Sequence, residues 1–127
     1  MTEVNSFVNI IKMKRIVFYR ELNGKDPIGE FLDSLPPKDA RKVTWTLRLV
    51  EELDVLPKTY FKKLVNTDEI WEIRTRIGSN SYRLLCFLHR NDVVILTNGF
   101  EKKTQKTPRN EIKLAETRKA DWMRRNG

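Results

Sequence analysis

The chain has 127 residues, with 25 Lys and Arg against 17 Asp and Glu, one His and one Cys. That length fits one domain around one core; the lone Cys excludes an internal disulfide, and with the lone His it excludes a His/Cys zinc cage. A formal net charge of +8 favours a polyanionic or acidic partner, and no apolar run approaches the ~18 residues that a membrane span needs.

Residues 1–12, MTEVNSFVNIIK, precede Met13, and two readings of them stand side by side. In one, Met13 is the natural start and 1–12 is an extension ahead of a domain over 13–127. In the other, they form an arm packed through Phe7, Ile10 and Ile11. The stretch lacks the compact apolar core and small-residue cleavage site of a signal peptide. With little cysteine, the expected location is cytoplasmic.

The β-branched and aromatic run MKRIVFYR (13–20) predicts a strand over about 14–20. Asn23-Gly24-Lys25 breaks it. Asp26 then serves as an N-cap and Pro27 as the first helical residue. Ile28, Phe31, Leu32 and Leu35 follow on one helix face. Pro36-Pro37 ends that helix and opens a second, which runs to about Leu53 with Ala40, Val43, Leu47, Val50 and Leu53 on one stripe. Residues 54–58 are a loop. In IWEIRTRI (70–77) the alternation is clean: Trp71, Ile73, Thr75 and Ile77 face one side, and Glu72, Arg74 and Arg76 the other. Gly78-Ser79-Asn80 turns into a strand over 81–88, SYRLLCFL. A turn at Arg90-Asn91-Asp92 leads to VVILT (93–97), apolar enough for a central strand. Thr107-Pro108 reads as a cap and first-turn proline opening a last helix to about Met123. The order is β-α-α-β-β-β-α. It predicts an α+β fold, a helical hairpin covering the apolar face of an antiparallel sheet, with the charged face open or lined by loops.

The charged face of 70–77 is the first place for chemistry. Period two sets Glu72, Arg74 and Arg76 about 6–7 Å apart, from a rise of ~3.3 Å per residue. Arg83, one short turn away, adds a further guanidinium if it shares that face. Such a cluster suits phosphate, whose oxygens match the planar fork. The second place is GFEKKTQKTP (99–108), where Lys102, Lys103 and Lys106 lie between a strand and a helix start. Elsewhere the signals are weak. His89 falls in a turn, Cys86 reads as a buried small hydrophobe, and Trp45 and Trp122 read as packing residues. No Ser/His/Asp set, P-loop or dinucleotide fingerprint is present.

Taken together, WEIR (71–74), YRLLCFL (82–88) and GFEKKTQKTP (99–108) resemble the HigB-like, phage-derived branch of the RelE/ParE toxin superfamily, over roughly residues 13–122. The resemblance implies a helical hairpin on a twisted antiparallel sheet, with the first strand inserted beside the later ones. It also implies the toxin of a type II toxin–antitoxin pair. In the RelE and HigB branches that toxin cuts mRNA, usually on the ribosome; the ParE branch instead inhibits DNA gyrase without nuclease activity. Arg83, after Tyr82, matches the arginine that contacts the scissile phosphate. Arg74 falls where these toxins carry a basic residue, and Glu72 stands where they often carry Lys. Lys102 and Lys103 fall near the basic residue that serves the leaving group. The late tyrosine of RelE has no counterpart after Tyr82.

The expectation is therefore metal-independent RNA cleavage by 2′-OH attack, with no cofactor. Glu72 is the candidate base, with the Arg74 cation beside it. Arg74 and Arg83 stabilise the phosphorane, each such contact being worth about 2.7–4 kcal/mol. Lys102 or Lys103 assists the leaving group, and Arg76, Tyr82 and Lys106 contact RNA. The expected partners are mRNA, the ribosome and a cognate antitoxin, a small DNA-binding protein encoded nearby, and no membrane. The other readings are a ParE-like gyrase inhibitor and a nucleic-acid-binding domain without catalysis.

Overall fold

A computed structural model describes residues 14–53 and 55–127. Both readings of 1–12 fall outside the described residues. The first strand, β1, spans Arg15–Phe18. Helix α1 (Pro27–Ser34) starts as the sequence predicts: Pro27 opens it and Asp26 Oδ1 accepts from the Gly29 N–H at 3.1 Å. Helix α2 spans Pro37–Glu52. Strands β2 (Phe61–Lys63), β3 (Trp71–Ile77), β4 (Asn80–His89) and β5 (Val93–Glu101) follow, and helix α3 (Arg109–Asn126) closes the chain.

The fold is α+β, with three helices and one five-stranded sheet among the described residues. The observed order has one more strand than expected, β-α-α-β-β-β-β-α. The addition, β2, is three residues long, too short for a period to show in the sequence. The sheet order is β1-β5-β4-β3-β2. It is not antiparallel throughout: β1 runs parallel to β5, because the α1–α2 hairpin and the β2–β5 meander intervene before the chain returns to its side.

The α1–α2 hairpin covers one face of the sheet. Ile28, Val43, Leu47 and Val50 pack there on Ile73, Leu84, Cys86, Val94 and Leu96. Leu53, expected on that stripe, is exposed beyond the helix end. Contrary to expectation, the other face is not left open along its whole length. Helix α3 packs across β4 and β5 there, burying Ile70, Leu85, Phe87, Ile95 and Ala115 with Trp122 against them. That is why VVIL is apolar on both sides. Polar ties fasten α3, among them Asn98 Nδ2 donating to Glu111 Oε1 at 2.9 Å, Arg118 Nη1 to the Thr97 carbonyl at 2.8 Å, and the Tyr19 hydroxyl to Asp121 Oδ2 at 2.6 Å. His89 is not loose in a turn; it ends β4 with its ring edge-on to Trp122. Cys86 is buried as expected. Among the described residues no helix is long and apolar enough to cross a membrane.

Candidate functional site

Helix α3 stops short of β3 and β4 beyond Leu85, and the charged side chains emerge there. Strands β3 and β4 meet through the two-residue turn Gly78-Ser79, with Gly78 at φ +58°. The register that follows sets Arg74 opposite Arg83 and Glu72 opposite Leu85. Arg83 therefore shares the face of Glu72, Arg74 and Arg76. Lys102 reaches the same place from the end of β5, where its N–H donates to the Ser81 carbonyl at 2.7 Å.

Glu72 is the centre of the cluster and is 0% exposed. Its Oε1 accepts from Arg74 Nε at 2.9 Å and lies 3.4 Å from Arg83 Nε. Its Oε2 accepts from the Thr107 hydroxyl. Both oxygens are thus occupied. Glu72 is the expected general base; in the structure its carboxylate holds the two guanidiniums in place, and accepting a substrate proton requires breaking the Thr107 contact. The Arg83 side chain is 12% exposed, and its Nη1 donates to Ser81 Oγ at 2.7 Å and to the Tyr82 carbonyl at 3.1 Å. Burial lowers its pKa from the usual arginine value, Glu72 opposing. An arginine remains a cation under those conditions.

Lys102 is partly buried. Desolvation first, then the cation of Arg83, lower the pKa of its ammonium below the ordinary lysine value; Glu72 opposes this, and Arg74 and Lys62 add to it. A lysine so placed releases its proton more readily than a free one. The site opens into a groove of about 900 Å³ lined by Lys62, Glu72, Arg74, Lys102, Lys106 and Thr107, among others.

Of the residues expected at the site, Glu72, Arg74, Arg83 and Lys102 come together, and Lys106 lies along the groove. Lys103 does not join them: its side chain is 77% exposed, 4.0 Å from Glu101 and outside the groove. Arg76 is on the same face, exposed, near the β3–β4 turn. Tyr82 is corrected from RNA contact to core residue. It is 3% exposed on the hairpin face, and its hydroxyl donates to Asp39. That hydrogen bond, with burial next, pushes its pKa up to about 12.

Two residues escaped the sequence reading. Lys62 faces Glu72 across β2 and β3; its only signal is the dibasic pair after Phe61. Thr107 reads as a helix cap, yet the position before α3 is Pro108 and the Thr107 hydroxyl goes to Glu72 instead. The arrangement supplies convergent cations, one buried carboxylate that orients them, and an ammonium with a lowered pKa. It suits a phosphodiester whose charge grows during reaction. Among the described residues no group of three or more His, Cys, Asp or Glu side chains is placed to hold a metal ion.

No curated protein matches the chain. The model of one family, described as phage derived protein Gp49-like (DUF891), matches residues 30–120, from within α1 through most of α3 and so across the whole cluster. With that match covering well over half of the sequence, the chain belongs to the Gp49-like family of phage-derived proteins.

Proposed function

We propose that this protein is the toxin of a type II toxin–antitoxin pair, of the HigB-like branch of the RelE/ParE superfamily, and that it cuts mRNA on the translating ribosome. The observation that carries the reading is the Arg74–Arg83 pair held by buried Glu72 beside the lowered-pKa ammonium of Lys102. Membership of a phage-derived family is compatible with a toxin. In the reaction, the 2′-oxygen attacks the adjacent phosphorus and the P–O5′ bond breaks, leaving a 2′,3′-cyclic phosphate and a 5′-OH. The 2′-OH proton leaves to water in the open groove. Arg74 and Arg83 bind the equatorial oxygens, where charge builds. Lys102 gives its proton to the departing O5′. The ribosome holds the substrate in line. A cognate antitoxin, as the second partner, silences the toxin in the cytoplasm by covering this basic face.

The test is primer extension on mRNA after a brief pulse of expression, with Arg83→Ala and the more exposed Arg74→Ala as variants and thermal melts to check folding. New 5′ ends inside coding regions, lost in both folded variants, are the expected result. Growth arrest with intact mRNA would sink the nuclease and favour a gyrase-directed toxin, tested by supercoiling.

A further inference from the structure

Strand β2 covers only part of the β3 edge. It pairs through Ile73, and the last bond in the series runs from the Arg74 N–H to the Tyr60 carbonyl at 2.8 Å. Among the described residues, β3 from Thr75 to Ile77 has a strand neighbour on the β4 side only. Alternation along the strand turns the Arg76 N–H toward the open side, as it does the Arg74 N–H. A cleft of about 350 Å³ lies there. Lys42 of α2, Tyr60, Thr75, Arg76 and Ser81 line it, Thr75 from the hairpin face of β3 and Arg76 from the other. Arg74 and Arg83 also line it, so it is continuous with the cluster around Glu72.

Three features mark this cleft as built for a ligand. Thr75 is 2% exposed, and its hydroxyl has no hydrogen-bond partner among the described residues. Buried hydroxyls without partners are rare in native proteins. Next, Tyr60 is held edge-on to Trp45, with ring centroids 6.2 Å apart. Finally, the Lys42 ammonium sits 4.2 Å from the centre of that same Trp45 ring. Trp45 itself is exposed on α2 and adds nothing to the core. Its contacts are with an aromatic ring and a cation that both line the cleft.

We infer that this cleft seats the nucleotide flanking the scissile phosphate of single-stranded RNA. The base lies against Tyr60, its phosphate meets Lys42 and Arg76, and its edge meets the Thr75 hydroxyl and the free β3 edge. The inference rests on the RNA-cleaving reading for the phosphate at Arg74 and Arg83. Stacking on an aromatic ring plus a cationic wall is the chemistry that single strands offer and duplexes hide. The volume is at the low end for ligand pockets and matches one nucleotide rather than a longer stretch.

The test uses the whole protein and six-nucleotide RNAs with 2′-O-methyl sugars, which bind but cannot be cut. Binding is followed by fluorescence anisotropy and by amide chemical shifts. Shifts are expected at Thr75, Arg76 and Ser81. Tyr60→Ala weakens binding about tenfold or more, and Tyr60→Phe, which keeps the ring, does not. Lys42→Ala lowers the slope of log affinity against log salt by about 0.7, as for one lost contact to a single strand. Thr75→Val relaxes base preference at one position beside the cut in cellular cleavage maps. Unchanged affinity in Tyr60→Ala and Lys42→Ala, with no shifts in the cleft, overturns the subsite. The nuclease reading then survives if Arg83→Ala still abolishes cutting. Cleft shifts and Tyr60 dependence without any cleavage by the wild type remove the nuclease and overturn the placement beside a scissile phosphate. Shifts caused by polyglutamate but not by RNA reassign the cleft to an acidic protein and also overturn the inference.

Discussion

Arg74 and Arg83 stand directly opposite one another on β3 and β4. The Arg74 N–H is donated to Tyr60 on the other side, so the two arginines form the non-hydrogen-bonded kind of cross-strand pair, in which side chains approach most closely. Like charges so placed repel. Glu72, two residues before Arg74 on the same face, offsets that repulsion with one oxygen shared between the two guanidiniums.

Removing the carboxylate charge should therefore uncover the repulsion. Glu72→Gln is expected to lower stability by about 2–4 kcal/mol, somewhat less than for a fully dry ion pair because Arg74 keeps some solvent. A urea melt measures it. Adding Arg83→Met to Glu72→Gln should recover part of the loss, since one of the two facing cations is gone. An unchanged midpoint in Glu72→Gln would mean that the carboxylate does not hold the pair.

The lowered pKa of Lys102 has a kinetic and a thermodynamic signature. As the leaving-group acid it must be protonated, so cleavage should fall on an alkaline limb centred below the 10.5 of an ordinary lysine. Lys102→Arg should carry that limb out of range. Between the folded and unfolded pKa values the unfolded chain binds more protons, so stability should rise with pH across that window and level off near 10.5. Lys102→Met should abolish the rise. A limb that stays put in Lys102→Arg would assign the proton to another group.

Tyr82 should behave as a structural residue. Its hydrogen bond to Asp39 and its burial raise its pKa to about 12, so the stability it contributes is present below pH 10 and lost as pH climbs toward 12. Absorbance at 295 nm should show a tyrosine ionising near pH 12 that is lost in Tyr82→Phe. Tyr82→Phe should cost about 1.5–3 kcal/mol, since Asp39 loses the Tyr82 donor in a buried setting and keeps only the longer bond from Asn80 Nδ2. Affinity for RNA should not change. A loss of RNA affinity in a stably folded Tyr82→Phe would restore it to the binding surface.

Much of this site is legible in the sequence because period two is strict. IWEIRTRI puts Glu72, Arg74 and Arg76 on one face whatever the tertiary fold, and a two-residue turn brings Arg83 back across from Arg74. The same alternation along β4 sends Tyr82 to the opposite face from Arg83, but both faces of that strand are apolar further along, which hides which one is the core side. The burial of Glu72 is not local information. It depends on Thr107, 35 residues away, being drawn off its expected capping role. Lys62 and Tyr60 belong to a strand of three residues and its approach, where pairing with β3 rather than any pattern decides the conformation. Helix α3 reads as a helix, but where it ends on the sheet, and so how much charged face it leaves open, follows from packing of Ala115 and Trp122 against Phe87.

The groove makes a distinction among lysines that composition alone does not. Lys62 and Lys106 line it, whereas Lys103 points away beside Glu101. If RNA follows the groove, each lysine on its wall replaces counterions on the strand. Lys62→Ala and Lys106→Ala should then each reduce the salt slope by about 0.7, with affinity falling alike for all sequences. Lys103→Ala removes the same charge from the same basic segment and should leave the slope where it was. Equal effects from all three would mean that the strand responds to net charge and not to the groove, and would move the RNA path off this face.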